Sequence, residues 1–173
     1  MKTFIESQFS YSPLTWMFYD RSINNTINKV HERALRIVYQ DDTSSFEELL
    51  IRDKSFTVHH RNIQNLALEV YKAEHDISPK VMKSLFVPKH SSKNNLRSER
   101  ILSLPSVNTV HYGKDSIRYF GAIVWNMLPN SIKKQETFGD FKKEIKKWLP
   151  KCSCRLCKDY IAGVGYIKIV ESI

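Results

Sequence analysis

The stretch RSINNTINKVHERALRIVYQDDTSSFEELL, residues 21–50, decides the fold class. From Ser22 to Tyr39, the residues Ile23, Ile27, Val30, Ala34 and Val38 recur at three- and four-residue steps, which is one face of an α-helix. This spacing predicts that they form a buried stripe. On a helical wheel, Lys29, Arg33 and Arg36 cluster on a different side. Ser44-Ser-Phe-Glu47 then spells a capping box, so a second helix is predicted to start there and to turn Phe46, Leu49 and Leu50 inward.

Helical patterning continues on both sides of this stretch. Met1 to Phe9 has helical apolar spacing without a capping residue ahead of it, and Pro13 is placed to open a short helix through Trp16, Met17 and Phe18. Thr57 to His75 carries Ile63, Leu66, Ala67, Val70 and Tyr71 on one face, and Ser78-Pro79 starts a short helix that ends near Phe86. The period changes after Val87. Pro88 to Ser106 reads as an extended surface crossing. Val107–Tyr112 and Ser116–Phe120, on either side of Gly113-Lys114-Asp115, read as the one β-hairpin of the chain. Ala122 to Leu128 reads as a buried helical turn that Pro129 stops. Thr137 to Leu149 is an amphipathic helix with Phe138, Phe141, Ile145, Trp148 and Leu149 on its apolar side. The expected fold is therefore mostly α, of α+β class: a helical bundle, then a small antiparallel β-hairpin, then a C-terminal amphipathic helix.

Composition narrows the functions. The chain has 173 residues, of which 42% are hydrophobic and 12% aromatic, too many for a disordered chain. Its 5 glycines are too few for a turn-rich barrel or a glycine-loop phosphate site. No apolar run approaches the length of a membrane span, and Glu6, Gln8 and Ser10 interrupt any signal-peptide core. The net charge of +9 is concentrated after residue 50, which points to a polyanion, nucleic acid before membrane. Three cysteines in one short window do not make a disulfide framework, and they suit reduced thiols in the nucleus or cytoplasm.

Four groups of residues are candidates for chemistry. Lys142, Lys143, Lys146 and Lys147 share one flank of the last amphipathic helix, and Lys151 and Arg155 continue the charge. Such a row suits a phosphate backbone, although lysines on amphipathic helices also serve as a plain solvated face. Lys29, Arg33 and Arg36 form a lesser basic group, with acidic neighbours. Cys152, Cys154 and Cys157 make a C-x-C-x-x-C cluster that offers zinc three thiolates; the fourth ligand is not nominated by any spacing, and free thiols are the plainer reading. Tyr39-Gln-Asp-Asp42 has the Y-x-D-D spelling of a polymerase metal site. That chemistry needs a strand–turn–strand, and here the string joins two helices, so it reads as an acidic loop. His59-His60 reads as polar residues at a helix start, and Trp16, Trp125 and Trp148 as core.

Several of these strings, taken in order, resemble the C-terminal region of non-LTR, LINE-type, jockey-like retrotransposon reverse transcriptases. They are SQFSYSPLTWMF (7–18), HERALRIVYQDDTSSFEELL (31–50), HHRNIQNLALEVYK (59–72), NLRS (95–98), YGKDSIRYFGAIVWNMLPNSIK (112–133) and FKKEIKKWLPKCSCRLCKDYI (141–161). The resemblance implies a helical thumb-like region at 1–87, which packs on a template–product duplex. It further implies a mixed segment at 88–150 and a cysteine-containing tail at 151–173. It places the catalytic palm and the endonuclease outside this chain, so no catalytic residue carries over and the chain is expected not to be an enzyme. The expected function is sequence-tolerant binding of RNA or DNA backbone by a truncated polyprotein remnant, without membrane or small-molecule substrate. The expected partners are that backbone and the missing polymerase domain of a related element. The rival expectation is an orphaned structural fragment, whose Met1, Phe4, Ile5, Trp16 and Phe18 would be left as an apolar patch.

Overall fold

A computed structural model describes residues 5–89, 101–109 and 113–148. The described residues fall into two compact units, one through Asn62 and one from Ile63.

Local signals build the first unit. Helix α1 (Ile5–Ser10) and helix α2 (Pro13–Trp16) are separated by Ser12, whose φ of 43° turns the chain. Helix α3 (Arg21–Tyr39) begins where the Asp20 carboxylate accepts the Ile23 amide at 2.9 Å. It ends at Gln40, in the left-handed region at φ 50°. Asp41 then organises the turn. Its Oδ1 accepts the Thr43 amide at 3.1 Å and the Ser44 amide at 3.0 Å, and its Oδ2 accepts the Ser44 hydroxyl at 2.7 Å. Ser44 is thereby committed to the turn, and the capping box shifts by one residue from the expected position. Ser45 Oγ accepts the Glu48 amide at 3.3 Å, while the Glu48 carboxylate accepts the Ser45 amide at 2.7 Å. Helix α4 (Phe46–Asp53) buries Leu49 and Leu50 and packs back on α3.

Helix α3 is rotated by roughly a quarter turn from the expected stripe, of which Ala34 is buried and Ile27 half-buried. Ile23, Val30 and Val38 are 51%, 50% and 49% exposed, and Ile37 is 71% exposed. The buried side instead carries Asn24, Asn28, His31 and Leu35, with Ala34 at its edge. The Asp41 turn fixes where α4 returns, and it brings Phe46 edge-on to His31 with ring centroids 5.6 Å apart. At the far end Tyr39 donates its hydroxyl to Asp53 at 2.9 Å.

Helix α5 (Val58–Glu74) starts at Thr57, whose hydroxyl oxygen accepts the His60 amide at 3.3 Å. In the second unit its residues Ile63, Leu66, Ala67, Val70 and Tyr71 are buried, as the spacing predicts. Helix α6 (Lys80–Ser84) follows the left-handed Asp76. Pro88 and Leu102 then form one isolated antiparallel bridge. Leu102 is held by the Asn126 side chain, which accepts its amide and donates to its carbonyl, both at 2.9 Å.

The expected hairpin is absent among the described residues, which contain no strand; Val110–Tyr112 of its first arm lie outside them. Helix α7 (Ile117–Met127) occupies its second arm. Ser116 is the reason. Its hydroxyl accepts the Tyr119 amide at 3.3 Å and donates to the Gly113 carbonyl at 2.6 Å, so a helix starts where a second strand was expected. The fold is therefore mostly helical rather than α+β. Helix α8 (Asn130–Lys133) leads into helix α9 (Phe138–Lys147). Among the described residues no helix is long and apolar enough to cross a membrane.

Candidate nucleic-acid interface

The lysine face of α9 follows from what the opposite face packs against. Phe141 and Ile145 are fully buried, and Phe141 stacks on Tyr71 at 4.1 Å and lies 6.3 Å from the Trp125 ring. Burying these two residues orients the helix and puts Lys142, Lys143, Lys146 and Lys147 on its exposed side. Both ends of the helix are fixed. Thr137 caps the start, accepting the Asp140 amide at 3.1 Å. Beyond the last turn, Gln64 donates its side-chain amide to the Trp148 carbonyl at 2.8 Å.

The charges on this face are available. Lys143 pairs with Asp140 at 3.0 Å and Lys147 with Glu144 at 3.5 Å, with the lysine side chains 75% and 63% exposed. Exposed pairs of this kind are worth about 0–1 kcal/mol and are screened by salt, so a phosphate can displace the carboxylate. The Asp140 carboxyl sits below its ordinary range, chiefly because the Thr137 hydroxyl donates to it and secondarily because of Lys143. Lys142 and Lys146 have no carboxylate partner among the described residues. Helix polarity agrees with this layout, with Asp140 in the first turn and Lys146 and Lys147 in the last.

The other predicted groups fare differently. Lys29 and Arg33 are exposed on α3, but Arg36 is half-buried, paired with Glu32 at 2.6 Å and donating to the Asp41 carbonyl at 3.3 Å. Arg36 therefore holds the end of its own helix. Lys151, Arg155 and the cysteines Cys152, Cys154 and Cys157 lie outside the described residues, and so does Leu149. Among the described residues no three His, Cys, Asp or Glu side chains are grouped to hold a metal. Trp125 is buried as expected, whereas Trp16 and Trp148 are half-buried.

The Tyr39–Asp42 string is a structural corner. Asp41 spends both oxygens on the turn and also faces Arg52 at 3.6 Å, while Asp42 is exposed. The Ser44 amide, then the Ser44 hydroxyl and the Thr43 amide, hold the Asp41 carboxyl far below the usual carboxylate range.

One feature of the first unit escaped the periodicity. His31 is fully buried, and neither ring nitrogen has a hydrogen-bond partner. Burial lowers its pKa to about 4; nearby Arg61 adds to the lowering and Asp53 opposes it. A lone histidine between Val30 and Glu32 gives no signal of this in the sequence. Comparison with family models, with curated proteins and with solved structures finds no match to this chain.

Proposed function

We propose that this chain is a non-catalytic module that grips nucleic-acid backbone through α9, and that it derives from the C-terminal region of a non-LTR retrotransposon reverse transcriptase. The observation that carries the binding role is the exposed row Lys142, Lys143, Lys146 and Lys147 on a helix anchored from behind by Phe141 and Ile145. A rigid helix holding several ammonium groups on one side neutralises neighbouring phosphates and releases their counterions, without reading bases. Support for the polyprotein origin is the ordered set of strings quoted above. Lys151 and Arg155 follow directly in sequence and extend the same basic stretch.

The test is a fluorescence-anisotropy titration of the chain against a generic RNA–DNA hybrid across a salt series. Contacts from these four lysines predict that log affinity falls with log salt at a slope of about −3.6, and that each lysine replaced by glutamine reduces the slope by roughly 0.9. Affinity that ignores salt, or survives loss of all four lysines, refutes the reading. No binding even at low salt leaves the orphaned structural fragment as the better account.

A further inference from the structure

Helix α3 carries a second surface that the backbone grip leaves unused. Ile23, Ile27, Val30, Ala34 and Ile37 follow one another at steps of four, three, four and three residues. That alternation averages 3.5 residues, the repeat of a coiled-coil seam, sustained over two heptads. The seam faces outward: Ile23, Val30 and Ile37 are exposed, while half-buried Ile27 and the small Ala34 form its floor. At 1.5 Å per residue it runs for about 21 Å, enough for four turns of a facing helix. One edge turns into the protein through Asn24, Asn28 and His31. The other edge is bordered by exposed Lys29 and Arg33.

We propose that α3 is a docking surface for an amphipathic helix of another protein, with aliphatic residues at heptad spacing and carboxylates along the edge that meets Lys29 and Arg33. Charge complementarity selects this occupant. The only carboxylate within α3 is Glu32, already held by Arg36 at 2.6 Å. A second copy of the chain therefore brings a basic edge with no acid to offer. A phosphate backbone answers Lys29 and Arg33 but leaves the aliphatic seam in water, where an apolar partner gains most. Flanking charges of opposite sign are the usual means by which paired helices choose a partner.

The experiment titrates the full chain with two fluorescent probe helices. Both carry leucines at heptad spacing over about four heptads, flanked in one by glutamates and in the other by lysines. The glutamate-flanked probe is expected to bind several-fold more tightly. The Lys29→Glu/Arg33→Glu double variant should reverse that preference, a change that mere unfolding does not produce. Val30→Glu, at an exposed position, should abolish binding of both probes while the circular-dichroism spectrum stays unchanged. Equal binding of the two probes, or binding of neither, overturns the proposal. A dimer in sedimentation that Val30→Glu dissociates would assign the seam to a second copy instead. Displacement of the glutamate probe by an RNA–DNA hybrid in the Lys142→Gln/Lys146→Gln background would assign the edge to phosphate.

Discussion

Gln64 on α5 donates its side-chain amide to the backbone carbonyl of Trp148, 84 positions further along the chain, at 2.8 Å. The same nitrogen lies 3.4 Å from the Lys146 carbonyl. A helix leaves its last carbonyls without internal partners, and here a buried glutamine supplies one just beyond the end of the lysine row. Replacing Gln64 with Leu keeps the apolar volume and removes the donor. We expect a loss of roughly 1–2 kcal/mol in urea unfolding. Hydrogen exchange should show lowered protection confined to the end of α9.

His31 makes stability depend on acid in a defined window. Its folded pKa of about 4 lies below the ordinary 6.5, so the unfolded chain binds the proton first as pH falls. Stability from this residue is complete above pH 6.5 and declines until about pH 4, where the loss reaches roughly 3 kcal/mol. Carboxylates contribute their own acid sensitivity, so the diagnostic quantity is a difference. Unfolding free energy of the parent minus that of His31→Leu, measured at pH 7.5 and pH 4.5, should fall by at least about 1 kcal/mol. An unchanged difference would show that the ring does not titrate in this window.

Two glycines should respond to alanine with opposite signs. A Cβ at Gly121 would stand 2.7 Å from Phe86 Cε1 and 3.2 Å from Val70 Cγ2, where α7 presses against its neighbours. Strain of about 1–3 kcal/mol outweighs the helix-propensity gain of about 1 kcal/mol, so Gly121→Ala should lower the melting temperature. Gly139 lies in the first turn of α9, and its nearest neighbour to an added Cβ is Thr137 Oγ1 at 3.8 Å. Gly139→Ala should raise the melting temperature, by up to about 1 kcal/mol in stability. Calorimetry on the pair checks the close approach of α7 directly.

Asp41 and Asp42 should separate just as clearly. Asp41→Ala removes the acceptor for the Thr43 and Ser44 amides and is expected to lower the melting temperature. Asp42→Ala, on an exposed side chain, should leave it unchanged. A polymerase metal pair would predict something else: equal loss of metal-dependent primer extension from either substitution.

Much of the helical framework was legible in local sequence because helix ends are made locally. Asp20, Thr57 and Thr137 each satisfy amides a few residues ahead, and Phe141 and Ile145 declare their face by spacing alone. The lysine row of α9 follows from the same arithmetic. Two features did not. Residues 107–120 hold turn formers and β-branched residues that suit a hairpin, and only the Ser116 hydroxyl, shared between Gly113 and Tyr119, tips the second arm into a helix. In α3 the periodicity finds two faces but does not say which one the fold buries.

That choice belongs to tertiary structure. Gln40 and Asp41 set the direction in which α4 returns, and the return covers the side bearing His31 and Leu35. Sequence by itself determined the α3 helix, its apolar stripe and its basic flank. Packing decided that Ile23, Val30 and Val38 stay outside while Ala34 is buried, because a hydrophobic face is buried only where another element arrives to cover it.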